Sequence, residues 1–445
     1  MTRARRPGNA IQIPAPGAVL ALAWAALHLA LGGCVGPQQL PATPNVLRDG
    51  SGSQVLAQLP QEQHVVGMPI IYVTDRARVS APDQPPAYGT KRSPFASFGQ
   101  ATVSFTPAPT WDELVSASGS APDGHHLSLG VTGVEELGNF SFTAASFEVV
   151  DGNLRFRPEA AEVVADRVHQ VTDLVRTRLS AGGHKDVYLY VHGVDNSFED
   201  ALCRAAVIWH SIGRRGVMVA YAWPAGQAGA LGYFYDRESG EFSVCHLKRL
   251  ITGLAECPEV ERIHVVAHSR GCDVVTTALR EINLECRARG LSTSATLKLD
   301  TLVLAAADLD AAVFGMRMQL ENLAAVARHV VIYSSTSDRA VEFADWLFSS
   351  RARLGTLTKE EVDPPMQELL AQIPSLQCVR CAVSGTGNTH DYLFTNPGAM
   401  SDLILVLRDG KEPGAANGRP LTPLGGAFWL LDNSYALPPP AASTR

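Results

Sequence analysis

The chain has 445 residues, 46% of them hydrophobic and 18% charged, with a formal net charge of −7. That is enough apolar material for one large packed domain or two modest ones, and it excludes an intrinsically disordered protein. The acidic balance also excludes the basic footprint of a nucleic-acid binder.

Residues 1–33 differ from everything after them. Arg3, Arg5 and Arg6 form a positive front, an uncharged apolar run occupies 17–33, and Cys34 follows. This is the layout of a secretory leader rather than of a fold element. Leu31-Gly32-Gly33-Cys34 resembles the bacterial lipobox, which implies a lipidated Cys34 as the mature N-terminus and attachment to a membrane surface. Val35, in place of an aspartate, points to the outer membrane, facing the periplasm. The alternative is an uncleaved anchor helix, for which about 15 apolar residues are short against a hydrocarbon core of about 30 Å. Cleavage removes three arginines and no acid, leaving a net charge of −10.

Seven cysteines remain in a compartment where disulfides form. Cys378 and Cys381 make a C-x-x-C pair, read either as a local disulfide or as two buried thiols. No second pair at zinc spacing and no histidine cluster accompanies it, so no metal is expected.

In chain order, 34–60 is rich in Pro and Gln and reads as a tether. Residues 61–157 read as β-rich, with short apolar runs such as 101–105 and 140–150 between Pro, Gly and Asp breaks. From 158 to 180 the apolar positions follow a helical period. Strict alternation comes next: strands at 186–193, 216–224, 262–269, 297–305, 329–335 and 378–384, helices at 197–212, 241–256, 271–289, 311–327, 339–348 and 397–408. Alternation with nearly continuous apolar strands predicts an α/β fold, a mostly parallel sheet covered by helices on both faces over a core at 158–410. Residues 411–445, rich in Pro, Gly and Ala, read as a peripheral tail.

The chemistry concentrates in VVAHSRGCD, 265–273. A small-x-Ser-x-Gly pentad is weak alone, but this one closes an apolar strand and opens an amphipathic helix, the strand–turn–helix setting of a nucleophile elbow. In that turn the residues two before and two after the serine must be small, as Ala267 and Gly271 are. The helix N-terminus favours developing negative charge, and the Arg270 amide is placed to bind an oxyanion. A second donor is expected from the Val194 amide, after the His-Gly pair that ends the strand at 186–193. His192 then reads as a structural residue of that turn.

A serine hydroxyl needs a base, and the base an acid, in the chain order serine, acid, histidine. Downstream of Ser269 stand only His329 and His390. His329 opens a strand at the edge away from the elbow, whereas His390 lies in a Gly/Asn loop after the last strand, where the base belongs. For the acid, Asp338 follows the strand at 329–335; Asp308, one strand earlier, is the alternative. The segment LGYFYDRES (231–239) reads either as a lid or pocket wall, or as aromatics packing a loop onto the domain.

YVHGVDNSFEDA (190–201), AYAWPAG (220–226), LGYFYDRES, VVAHSRG, LVLAAADLDAAVF (302–314), YSSTSDRA (333–340) and THDY (389–392) together resemble the α/β-hydrolase superfamily, and within it a bacterial branch catalogued as domain of unknown function 900. The resemblance spans about 65–405, with Ala267 a mild departure. It implies a serine hydrolase with Ser269, Asp338 and His390 as its triad. The expectation is a membrane-tethered esterase that cleaves a small-molecule or lipid ester or thioester and needs no cofactor. Amide hydrolysis or acyl transfer with the same triad, and a non-catalytic envelope lipoprotein on the same scaffold, are the alternatives.

Overall fold

A computed structural model describes residues 38–48, 51–120, 127–141, 144–227, 231–341, 352–383 and 389–435. Cys34 and the leader lie outside them, as does most of the helix expected at 339–348. Thirteen strands occur among the described residues: β1 Met68–Arg78, β2 Tyr88–Thr106, β3 Ser128–Ser141, β4 Phe147–Val150, β5 Asn153–Phe156, β6 Asp186–Val191, β7 Val217–Tyr221, β8 Arg262–His268, β9 Leu299–Ala305, β10 His329–Ser334, β11 Leu376–Ala382, β12 Thr422–Gly425 and β13 Phe428–Asp432.

Eleven of them form one sheet in the order β12-β13-β11-β10-β9-β8-β6-β7-β1-β2-β3. From β13 to β1 all neighbours are parallel, and β12, β2 and β3 add antiparallel edges. The β-rich N-terminal part is therefore an extension of the parallel sheet, while β4 and β5 form a separate hairpin. Strand side chains alternate between two apolar cores. Val187, Leu189 and Val191 of β6 face the helices Pro158–Ala181, Gly232–Glu256 and Gly271–Ala288, whereas Tyr188 and Tyr190 face Phe198–Ser211 and Pro397–Leu407. Both faces are covered, so the parallel strands are largely apolar, as burial on two sides favours.

Three expectations change. The tether read at 34–60 is docked from residue 38 onward: Leu40, Leu47 and Leu56 are buried, and the Leu40 amide donates to the Leu127 carbonyl at 2.9 Å. The tail after 411 is not peripheral, because β12 and β13 complete the sheet and the Arg419 guanidinium pairs with Asp402 deep in the protein, at 2.8 and 2.7 Å. The helix expected from 241 begins at Gly232, so LGYFYDRES forms its first turns rather than a loop. Gly240 disguised that continuity; a Cβ there would stand 3.0 Å from Val274 Cγ2, so the glycine lets this helix lie close against Gly271–Ala288.

The cysteines at 203, 245, 257, 272, 286, 378 and 381 are free thiols. Cys378 and Cys381 sit three apart on β11 and pack into opposite cores, an arrangement that no local disulfide can bridge. No helix among the described residues is long and apolar enough to cross a membrane.

Candidate active site

The carboxyl ends of β6, β8, β10 and β11 converge on one rim. At the end of β8, Ser269 holds φ at 53°, a left-handed conformation that costs an L-residue about 1–2 kcal/mol. Neighbouring backbone fixes it: the Ser269 amide donates to the Ala305 carbonyl at 2.9 Å, and its carbonyl accepts from Cys272 and Asp308 at 3.1 and 3.2 Å. The helix Gly271–Ala288 starts two residues on, with Arg270 as its N-cap. A Cβ on Gly271 would meet the His192 carbonyl oxygen at 2.3 Å, and one on Gly193 would meet Ser269 Cβ at 2.6 Å. The turns after β6 and β8 thus interlock backbone against backbone, and only glycine fits at 193 and 271.

The turn after β6 is itself held rigidly. Trp223 Nε1 donates to the His192 carbonyl at 2.7 Å, and the two rings stack 5.1 Å apart. Burial and the nearby Arg76 push the His192 imidazole well below its ordinary range, so it is neutral and plays a packing part in this turn. Arg76, fully buried, donates to the Asn196 carbonyl at 2.6 Å and to the Ala225 carbonyl at 3.0 Å. Asp236, in the second turn of its helix, accepts from the Asp195 and Gly226 amides at 3.1 and 2.9 Å. These contacts fix the backbone on either side of Val194.

His390 lies beyond β11, and its Nδ1–H donates to the Asp338 carboxylate at 2.8 Å to Oδ2 and 3.0 Å to Oδ1. Asp338, buried in the loop after β10, also accepts from the Ala340 and Val341 amides at 3.1 and 3.2 Å, so its orientation is set by its own chain. Burial pulls the His390 pKa down, but the charge and hydrogen bond of Asp338 more than reverse that, and the net direction is upward. Asp308 is engaged elsewhere, in an ion pair with Arg353 at 2.8 Å and accepting from the Tyr233 hydroxyl. Tyr233 is therefore a strut between the helix Gly232–Glu256 and the loop after β9 rather than part of a mobile flap. His329 pairs with Glu412 at 3.4 Å, away from the rim.

The sequence pattern did not point to a second layer behind His390. Asp391 forms an ion pair with Arg204 at 3.0 Å, and the His268 imidazole donates to the His390 carbonyl at 3.2 Å. Burial and the facing His390 push His268 down to about 4, so it is a neutral prop. The one legible signal was adjacency, since Asp391 follows the histidine directly and His268 precedes the serine.

Ser269 and His390 line one narrow cleft together with Val194, Asn196, Asp391 and Gln38. Its open core of ≈ 20 Å³ is room for about one water molecule. A roomier cavity of ≈ 630 Å³ lies by the amino ends of β6 and β7, next to His184 and Gly216, and contains none of these groups.

A family model described as "Alpha/beta hydrolase of unknown function (DUF900)" matches residues 168–404, more than half of the chain and every residue of the rim except Gln38. The chain belongs to this family. Two solved structures are similar to this DUF900 hydrolase. One is an esterase from Pyrobaculum calidifontis, 12% identical, covering 57% of this chain and 95% of that one with a TM-score of 0.26. The other is the carboxylesterase CesB (YbfK) from Bacillus subtilis, 9% identical, covering 56% and 99% with a TM-score of 0.22. No curated protein matches the chain. Membership of the family and the mostly parallel, helix-covered sheet agree on the α/β-hydrolase fold.

Proposed function

We propose that this DUF900 hydrolase is a serine esterase tethered to the bacterial envelope through a lipidated Cys34, at the outer membrane's periplasmic face by the reading of Val35, and that it cleaves a carboxylic ester or thioester through an acyl-enzyme. The observation that carries the reading is the pairing of His390 with Asp338 at the cleft that Ser269 lines from its left-handed turn. A binding scaffold has no use for a strained serine, a buried carboxylate and an imidazole gathered at one cleft.

In the proposed reaction Ser269 Oγ attacks the acyl carbon while His390 Nε2 takes the hydroxyl proton. Asp338 holds the ring through Nδ1 and offsets the charge that the imidazolium acquires. The Arg270 and Val194 amides, one at a helix N-terminus and one in a turn braced by Asp236 and Arg76, bind the oxyanion. His390 passes its proton to the departing alkoxide or thiolate. Water, deprotonated by the same imidazole, then attacks the acyl-serine and releases the acid and free Ser269. No cofactor enters any step.

Hydrolysis of a short p-nitrophenyl ester tests this. Ser269→Ala and His390→Ala should each lower kcat by at least about 10⁴-fold, and Asp338→Asn by about 10³–10⁴-fold. Asp308→Asn should cost far less. Wild-type rates in the Ser269→Ala protein, with correct folding by circular dichroism, contradict the proposal.

A further inference from the structure

The chain enters its described part at the cleft itself. Gln38 lines it beside Ser269 and His390, and the segment is clipped in place. The Gln38 side-chain amide donates to the Asp200 carbonyl at 3.2 Å, its backbone carbonyl accepts from the Leu129 amide at 2.6 Å, and Gln39 bridges to Ser128. Cys34 precedes Gln38 by four residues, and four residues span at most about 14 Å even when fully extended. An acyl anchor on Cys34 therefore holds the cleft mouth within about 14 Å of the bilayer surface.

Four exposed apolar side chains stand at the starts of the two helices that follow β7 and β9, at the same carboxyl edge of the sheet as the cleft but outside its lining. Leu231 and Phe234, at the start of the helix Gly232–Glu256, are 69% and 40% exposed, and Val313 and Met316, in the first turns of the helix Ala311–Glu321, are 45% and 54% exposed. The intervening Tyr233 and Asp308 join these two helix starts, and the Asp308 amide is bonded to the Ser269 carbonyl. Gln38 thus lines the cleft itself, and exposed apolar side chains stand at the same edge of the sheet. With a net charge of −10 after cleavage, the mature chain as a whole has no attraction to anionic headgroups, which leaves apolar insertion and the acyl chains as its membrane contact in this inference.

We infer that the substrate is an acyl ester of a lipid in the leaflet that holds Cys34, reached with the cleft facing the membrane. The inference rests on the serine-hydrolase reading and on lipidation of Cys34. The lipid's ester C–O bond breaks, its acyl group passes to Ser269 Oγ, and the lysolipid alcohol leaves with the serine proton delivered by His390. Water then releases the fatty acid.

The test uses the full acylated chain, its N-terminal peptide first checked by mass spectrometry, on vesicles of phosphatidylethanolamine and phosphatidylcholine. Release of fatty acid is compared with hydrolysis of water-soluble p-nitrophenyl butyrate. Both substrates should be turned over. Leu231→Asp combined with Phe234→Asp should lower the vesicle-to-soluble ratio at least ten-fold, and a 30-residue Gly/Ser insertion after Val35 should lower it while leaving the protein anchored. An N-terminus without acylated Cys34, turnover of the butyrate with no fatty acid released from vesicles, or an unchanged ratio in both variants overturns the inference while leaving the esterase reading in place. Loss of both activities in the wild type removes the two together.

Discussion

Asp338 and Asp308 are both buried carboxylates beyond the carboxyl ends of neighbouring strands, and only one of them touches the imidazole. The difference has a titration signature. Because the Asp338 charge outweighs burial, His390 takes up its proton above the ordinary histidine pKa of about 6.5, and the neutral base is lost as pH falls through that raised value. The acid limb of kcat/KM should have its midpoint above about 6.5. In Asp338→Asn burial is left to dominate, so the surviving activity should have a midpoint below that of the wild type. A limb unmoved by Asp338→Asn, but moved by Asp308→Asn, would reassign the acid. At this scale the proposed nucleophile and base were readable from the chain: the pentad's setting indicates Ser269, and elimination leaves His390. The acid was not decided, because a sequence shows which strand a carboxylate follows but not which way it turns. The pairings of the props Asp391, Arg204 and His268 were hidden for the same reason, adjacency to the triad being their one signal, since their partners lie 122 to 187 residues apart.

Elements with a strong period were legible, and those held by a few long-range contacts were not. The alternating strands and helices from 186 onward announce a parallel sheet through their apolar runs. The last two strands and the docked segment from 38 to 60 carry the composition of loops, and they are ordered by contacts that composition does not reveal. Chief among these is the buried cluster in which Asp402, on the helix Pro397–Leu407, accepts from Arg419, from the Tyr435 hydroxyl and, at 2.6 Å, from the Tyr333 hydroxyl of β10. Removing one partner of a fully buried pair leaves the other charge uncompensated, at a cost of about 3–5 kcal/mol. Arg419→Ala should therefore destabilise the protein by about that amount in urea unfolding. A change under about 1 kcal/mol would show that the tail is only loosely attached.

On the scale of the whole molecule, the sheet acts as the instrument that gathers distant residues. Ser269 and His390 are 121 positions apart in the chain, and Asp338 lies between them, yet each stands just beyond the carboxyl end of a parallel strand, where the loops of an open α/β sheet meet. The family match covers this core, while the segment that brings Gln38 to the cleft lies upstream of it. The central claim is that Ser269 is the nucleophile of a working triad. Reaction with a fluorophosphonate, followed by peptide mass spectrometry, tests it most directly. The account predicts one covalent label on Ser269 in the wild type and none in Ser269→Ala or His390→Ala; an unlabelled wild type, or equal labelling of Ser269→Ala, would contradict it.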